Sequence, residues 1–266
     1  MLNIKLNEKP FVVEENTTLF SLRDIQKPAA DVLILNGAAM NENISLEEGD
    51  EVSLIQRGEL PSVDELEALM VARHTPGVHA KLKAATVGIA GLGGLGSAIA
   101  VALARVGIGR LILADFDVVE PSNLNRQQYF IDQIGMPKTE ALVSNLQKIN
   151  PYVDVEAHTV KLDPDSIFPL FGKADIMIEA FDRADQKAML LQAFTSARPC
   201  IPFIGASGMA GFASGETIGV KQLGQYIYVV GDLATGAVPG CGLMAPRVGI
   251  AAHMQANLAL RLIMDS

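Results

Sequence analysis

The residues best suited to chemistry fall in a short stretch of the chain and at one later point. Gly91-Leu92-Gly93-Gly94-Leu95-Gly96 lies between an apolar strand pattern, Thr86 to Ala90, and a helix pattern, Ser97 to Val106. Glycines in that place permit a tight turn and close backbone approach, so the helix N-terminus can face a phosphate. Asp115 ends the next strand pattern, Leu111 to Ala114, where a carboxylate can accept hydrogen bonds from ribose hydroxyls. Glycines that only tighten helix–sheet packing, with Asp115 as a turn cap, are the plain alternative. Ser122-Asn123-Leu124-Asn125-Arg126-Gln127-Gln128 then sets amides and a guanidinium just past that strand, within reach of nucleotide phosphates. Lys138 adds a point charge for a polyphosphate. A dinucleotide dehydrogenase has no need of this cluster, whereas a surface loop with a solvated Arg would need no ligand at all. Asp182 follows the apolar run Ile176 to Phe181, at the edge of an open α/β sheet where ligands bind and where Mg²⁺ would find an oxygen ligand. Asp117 and Asp185 read as helix caps or solvent-facing groups. Glu179, inside the apolar run, calls for a bond to a neighbouring backbone.

The elements that must position these groups are strand–helix repeats. After Thr86–Ala90 and its helix come strands at Leu111 to Ala114, Ile176 to Ala180 and Cys200 to Gly205, then a final helix from Gly249 to Met264. This order predicts a doubly wound, Rossmann-like α/β sheet. Residues 1–58 form a separate module. Leu2 to Leu6 alternates apolar and polar, Phe11 to Val13 returns, and Thr17 or Thr18 caps a helix carrying Leu19, Phe20 and Leu22. Val32 to Leu35 is a strand ended by Asn36-Gly37, and Glu51 to Ile55 is the last strand. Strand, strand, helix, strand, strand in so short a span is the order of a ubiquitin-like (β-grasp) fold. Residues 59–85 are a helix-prone linker, with Leu66, Leu69 and Met70 at helical spacing and a break at Thr75-Pro76-Gly77. The remainder, 86–266, is the nucleotide-binding domain.

Composition removes several classes. Aromatics are only 5% of the chain and Trp is absent, so the core must be built from Ala, Val, Ile and Leu, as suits helices on a parallel sheet. A net charge of −9 argues against a nucleic-acid partner. Two cysteines cannot build a disulfide framework or a four-cysteine zinc site. No apolar run is long enough to span a membrane, and the first residues lack a signal peptide's pattern. The expected location is the cytoplasm. His74, His79, His158 and His253 read as surface or packing residues.

Taken together, Gly91 to Ser97, Asp115, the SNLNRQ segment, Lys138 and Asp182 resemble the ThiF/MoeB sulfur-carrier adenylyltransferases, relatives of ubiquitin-activating enzymes. The likeness runs from Thr86 to the C-terminus, and the first 57 residues resemble the sulfur carrier ThiS. The resemblance implies ATP-dependent adenylation of the C-terminal glycine of a ThiS-like carrier, for the thiazole of thiamine. It assigns Gly91, Gly93, Gly94, Gly96, Asp115, Ser122, Asn125 and Gln127 to the nucleotide. Asn123 and Arg126 would act at the α-phosphate, Lys138 would grip the β- and γ-phosphates, and Asp182 would hold Mg²⁺. A homodimer is implied as well.

Two departures from the family pattern matter. Its two CxxC pairs are absent, so no zinc is expected. Its RYxRQ segment is also absent, leaving Arg73 as the nearest stand-in for an arginine finger that crosses a dimer in relatives. Cys241, in a glycine-rich loop, matches a cysteine that links to the carrier in ThiF, with Arg247 available to favour its thiolate. Cys200 reads as core. The front module runs on through Gln56-Arg57-Gly58-Glu59, so Gly58 has no free carboxylate and the expected substrate is a separate carrier. Other readings are a molybdopterin-synthase carrier or a tRNA base as substrate, a non-catalytic carrier-binding scaffold, and an NAD oxidoreductase, which leaves SNLNRQ unexplained.

Overall fold

The structure, a computed structural model, describes residues 1–75 and 77–265. Pro76, in the expected linker break, and Ser266 lie outside the described residues. The chain divides into two compact units, Met1–Pro76 and Gly77–Ser266.

The first unit is a five-stranded sheet crossed by one helix. Its elements are β1 (Leu2–Leu6), β2 (Lys9–Val13), α1 (Leu19–Gln26), β3 (Val32–Leu35), β4 (Ala38–Met40), β5 (Glu51–Ile55) and α2 (Val63–Arg73). Strand order is β2-β1-β5-β3-β4, with β1 and β5 parallel. The alternation in β1 puts Ile4 against Leu19, Leu22, Val52 and Leu54 in one small core. Thr18 is the helix cap, its hydroxyl accepting from the Ser21 N–H. Asn36-Gly37 does more than end β3. Both residues have positive φ, the requirement of a tight hairpin turn, and the chain returns as β4.

The second unit holds α3 (Val78–Ala84), β6 (Thr86–Ala90), α4 (Gly94–Arg105), β7 (Arg110–Asp115), α5 (Lys138–Ile149), β8 (Asp154–Thr159), α6 (Pro164–Phe171), β9 (Ile176–Glu179), α7 (Ala184–Ala197), β10 (Phe203–Ala206), β11 (Gly219–Gly224), β12 (Ile227–Gly231) and α8 (Ala245–Asp265). The seven-stranded order is β11-β12-β10-β9-β6-β7-β8, parallel except for the β11–β12 pair. Successive strands run from β6 out through β7 to β8, then jump back to β9 and out through β10. The direction of winding therefore reverses at β6, and the crevice there, above the carboxyl ends, is where such sheets bind ligands.

Both faces of the sheet are covered, which is why its strands are apolar runs without strict alternation. Val87 and Ile89 of β6 join Leu111, Leu113, Ile176 and Ile178 under α4, α5 and α8. Ala90, Ile112, Ala114 and Met177 face the other side, beneath Phe171 of α6 and Phe194 of α7. α4 begins at Gly94 and α8 at Ala245, each several residues earlier than the sequence pattern suggests. Cys200 is exposed, in a turn ahead of β10, and is not a core residue: the strand begins three residues later, at Phe203. Among the described residues no helix is long and apolar enough to cross a membrane.

Candidate functional site

A cleft of about 590 Å³ opens at the carboxyl ends of β6, β7, β9 and β10. Its lining includes Gly91, Gly93, Gly94, Asp115, Arg126, Gln127, Lys138 and Asp182. Residues far apart in the chain are thus brought to one place.

The glycine loop is shaped by close approach. Gly91 has φ +89°, and a Cβ on Gly96 would fall 1.8 Å from the Gly91 carbonyl oxygen. Only glycine permits the helix to start so near the strand. Gly93 is the N-cap of α4 and offers no side chain, so the first N–H groups of this twelve-residue helix keep no capping partner. With Gly93, Gly94 and Leu95 lining the cleft, the helix end is a ready anion site. A Cβ on Gly93 would meet nothing closer than 3.8 Å, which leaves that position open toward a ligand.

Asp115 orders this loop. Its Oδ2 accepts from the Leu92 N–H at 2.6 Å and its Oδ1 from the Asp117 N–H at 2.8 Å. Each carboxylate oxygen retains a second acceptor direction. The chain just past SNLNRQ is tied to the same loop. Ser97 Oγ donates to the Gly93 carbonyl and accepts from the Gln128 N–H. The buried Tyr129 hydroxyl donates to the Leu92 carbonyl at 2.7 Å. Burial, with Asp115 and Asp117 nearby, pushes that hydroxyl's pKa up, so it stays protonated and keeps donating.

Lys138 is 5% exposed, and its ammonium lies 2.8 Å from Asp117 Oδ2. Asp117 lines the cleft too and holds the lysine in place, a role beyond the solvent-facing one its sequence position suggested. The Arg126 guanidinium rests on Asn125 Oδ1 at 2.8 Å and on the Ser122 carbonyl at 3.3 Å. Asn123 is buried in the turn before it, its Oδ1 accepting from the Glu120 N–H. Asn123, Ser122, Asn125 and Gly96 are thus beside or beneath the cleft lining and are not part of it.

At the far side of β6, Glu179 is almost wholly buried. Its Oε1 accepts from the Phe181 N–H at 2.7 Å and from Lys187 Nζ at 2.8 Å, and its Oε2 from the Ala206 N–H at 3.3 Å. The bond to neighbouring backbone that a carboxylate in an apolar strand requires is present. Burial pushes the carboxyl's pKa up against the pull of Lys187. Lys187 lines the cleft, with Arg183 and Lys161. Glu179 itself was the signal for Lys187, because a buried charge needs a partner.

Cys241 is half-buried in the turn between Val238 and Gly242 and is not part of the lining, although Ala237 and Leu243 beside it are. Arg247 is not available to its thiol. It is 3% exposed and donates to the Ala213 and Ser214 carbonyls, to Thr217 Oγ1 and to Asp232 Oδ2 at 2.6 Å. Its Nη1 and Nη2 groups are taken up by this network, and that corrects the expectation placed on it. Arg73 belongs to the first unit, at the last turn of α2, where it pairs with Glu8 at 2.9 Å.

Chemically, the cleft offers an uncapped helix N-terminus and several cations to a polyanion, and carboxylates for sugar hydroxyls or a hard cation. Among the described lining residues there is no cysteine; Ser207 and Thr235 are the hydroxyl groups.

Comparison with known proteins gives the family and the fold. The ThiF family model matches residues 67–266, and the ThiS-like ubiquitin model matches residues 2–58. The molybdopterin-synthase adenylyltransferase of Salmonella typhimurium is 33% identical over 189 residues, 68% of this chain and 74% of that protein. The protein of the same name from Haemophilus influenzae is 40% identical over 111 residues, which span 41% of this chain and 46% of that relative's length. Among solved structures, E. coli tRNA N6-threonylcarbamoyladenosine dehydratase in complex with ATP shares the fold, with TM-score 0.69 at 22% identity over 78% of this chain and 98% of that one. E. coli MccB with ATP gives TM-score 0.55 at 28% identity, covering 71% of this chain and 58% of that one.

Proposed function

The chain belongs to the ThiF family, and on that premise we propose that it adenylates the C-terminal carboxylate of a ThiS-like sulfur-carrier protein, for thiamine thiazole synthesis. It is an ATP-dependent adenylyltransferase acting on ubiquitin-like carriers. The observation that carries the reading is the meeting of Arg126 and Lys138, in one cleft, with the uncapped end of α4, Asp115 and Asp182. ATP as the nucleotide is supported by the family and by the ATP complex of E. coli MccB.

In this reaction a carboxylate oxygen of the carrier attacks the α-phosphorus, the bond to pyrophosphate breaks, and an acyl-adenylate remains. The protein supplies alignment and charge neutralisation. The end of α4 and Arg126, backed by Asn123, Ser122 and Asn125, take charge at the α-phosphate; Asp115 accepts from the ribose. Lys138 turns from Asp117 toward the β- and γ-phosphates. Mg²⁺ needs only one or two carboxylates from a protein and completes its shell with phosphate oxygens and water. Asp182, exposed at the cleft, would hold it, and the ion would neutralise polyphosphate charge.

The division of labour follows the chain: a carrier-like module over 1–58, a helical linker over 59–85, and the adenylyltransferase domain over 86–266. Because Gly58 is internal, the substrate carrier is a separate protein and the fused copy is structural or regulatory. The enzyme is a cytoplasmic homodimer, in which Arg73 would leave Glu8 to serve a partner's site. A molybdopterin-synthase carrier is the second reading, favoured by the names of the relatives at 33% and 40% identity.

Exchange of labelled pyrophosphate into ATP, run with each carrier type, tests all of this. ThiS-dependent exchange is expected, falling by about 10²-fold or more in Arg126→Ala, the cost of one lost oxyanion-type donor, with a comparable loss in Asp182→Ala. Exchange only with the molybdopterin-synthase carrier selects the second reading. Carrier binding without exchange indicates a scaffold, and NAD⁺ reduction an oxidoreductase.

A further inference from the structure

We infer that Lys187, braced by the buried Glu179, binds the terminal carboxylate of the incoming carrier. This rests on the adenylation reading above. A nucleotide with its phosphates on α4 and its ribose on Asp115 runs from β6 toward β7 and β8, where Phe116, Lys161 and Leu162 line the cleft. The half of the cleft beyond β6, at the ends of β9 and β10, is left for the acceptor. Its wall includes the small residues Ala184, Ala206, Ser207, Gly208, Gly236 and Ala237, which leave room for a slender chain end beside Phe181 and Met209.

The cations of the nucleotide half make their contacts on their own side, Lys161 lying over the Phe116 ring. Lys138 sits on Asp117, and Arg126 on Asn125. Arg183, at the mouth, pairs with Asp185 through two nitrogens. Lys187 differs. Its ammonium donates to Glu179 Oε1 at 2.8 Å and to the Ala206 carbonyl at 3.0 Å. An ammonium carries three N–H groups, so one is left for a ligand in the cleft that the residue lines.

Its support is rigid. The last paired residues of β9 and β10 are Ile178 and Ile204. Past them the Glu179 carboxylate joins the strand ends, holding the Phe181 and Ala206 N–H groups. Gln255 of α8 donates from beneath to the Glu179 and Ile204 carbonyls. Lys187 is therefore pinned to the sheet edge as a fixed charge, and a fixed charge discriminates a carboxylate from a neutral chain end without ordering cost.

The test uses Lys187→Met in the full chain, with Glu179→Gln/Lys187→Met in case the lone buried carboxylate impairs folding, and Lys187→Arg as the conservative variant. In carrier-dependent pyrophosphate exchange, the KM for carrier is expected to rise tenfold or more in the Met variants and to recover in part with Arg. ATP affinity by calorimetry stays within twofold of wild type. The wild type binds a carrier ending in a free carboxylate more tightly than the same carrier ending in a carboxamide, and Lys187→Met loses that preference. A fall in ATP affinity with carrier KM unchanged, or an unaltered preference for carboxylate, overturns the assignment. No exchange by the wild type with either carrier type sinks the adenylation reading, and this inference with it.

Discussion

The two halves of the cleft are built by different means. On the β6–β7 side, the site is made from one stretch of chain: a helix end without a cap, a carboxylate holding two backbone N–H groups, and a segment tied back by Ser97 and Tyr129. On the β9–β10 side, the wall is held by charge pairs. Glu179 pairs with Lys187, and Asp232 with Arg247, both carboxylates nearly buried. Asp232 also accepts from Ala234 and Thr235, so this second clasp fixes the loop that carries Thr235, Gly236 and Ala237 into the cleft. Backbone geometry specifies the first half and side-chain electrostatics the second, so the two should fail in different ways.

The largest contrast is expected within the glycine loop itself. Gly96→Ala drives a Cβ to within 1.8 Å of the Gly91 carbonyl oxygen, and overpacking against backbone should destabilise the second unit by about 3 kcal/mol or more. Gly93→Ala has open space and should melt near wild type while weakening ATP binding. Denaturation and calorimetry on the pair check this; equal stability losses would mean the loop is not shaped by that close approach.

The Asp232–Arg247 clasp should come next. Asp232→Ala leaves Arg247 buried and unpaired, which costs about 3 kcal/mol and is read by denaturant unfolding. Its pH behaviour has a defined sign. Burial would push the Asp232 carboxyl up, but donation from Thr235, Ala234 and Arg247 outweighs it and holds the pKa well below the usual range. A depressed carboxylate pKa adds stability that is present above the unfolded value, about 3.9, and is lost as pH falls through the folded one. Melting temperature should thus drop more steeply below about pH 4 in wild type than in Asp232→Asn. Parallel curves would remove the clasp from the account.

The smallest effect is expected at Cys241. Adenylation uses no thiol, Cys241 is outside the cleft lining, and Arg247 is spent elsewhere. Cys241→Ser should leave carrier-dependent exchange within about twofold, and a tenfold loss would bring the thiol into the activation step.

This contrast also explains what could be read from the sequence. The α/β order, the glycine loop, Asp115, Lys138 and Asp182 sit at positions where local pattern and strand-end logic suffice. Lys187, Asp117 and the Asp232–Arg247 clasp were missed because no local motif marks them and their meaning depends on partners that only packing brings together. Glu179 was the partial exception, since a carboxylate inside the apolar run Ile176 to Phe181 calls for a hydrogen-bond partner. Cys200 misled for a related reason: its apolar surroundings suited a strand that the turn at Pro199 delays until Phe203.

The most direct test of the whole account is a crystal structure of the protein with a non-hydrolysable ATP analogue and Mg²⁺. The account predicts phosphates at the amino end of α4, ribose on Asp115, and Arg126 and Lys138 turned onto the phosphate chain. Nucleotide bound elsewhere, or those two side chains directed away from it, would contradict it.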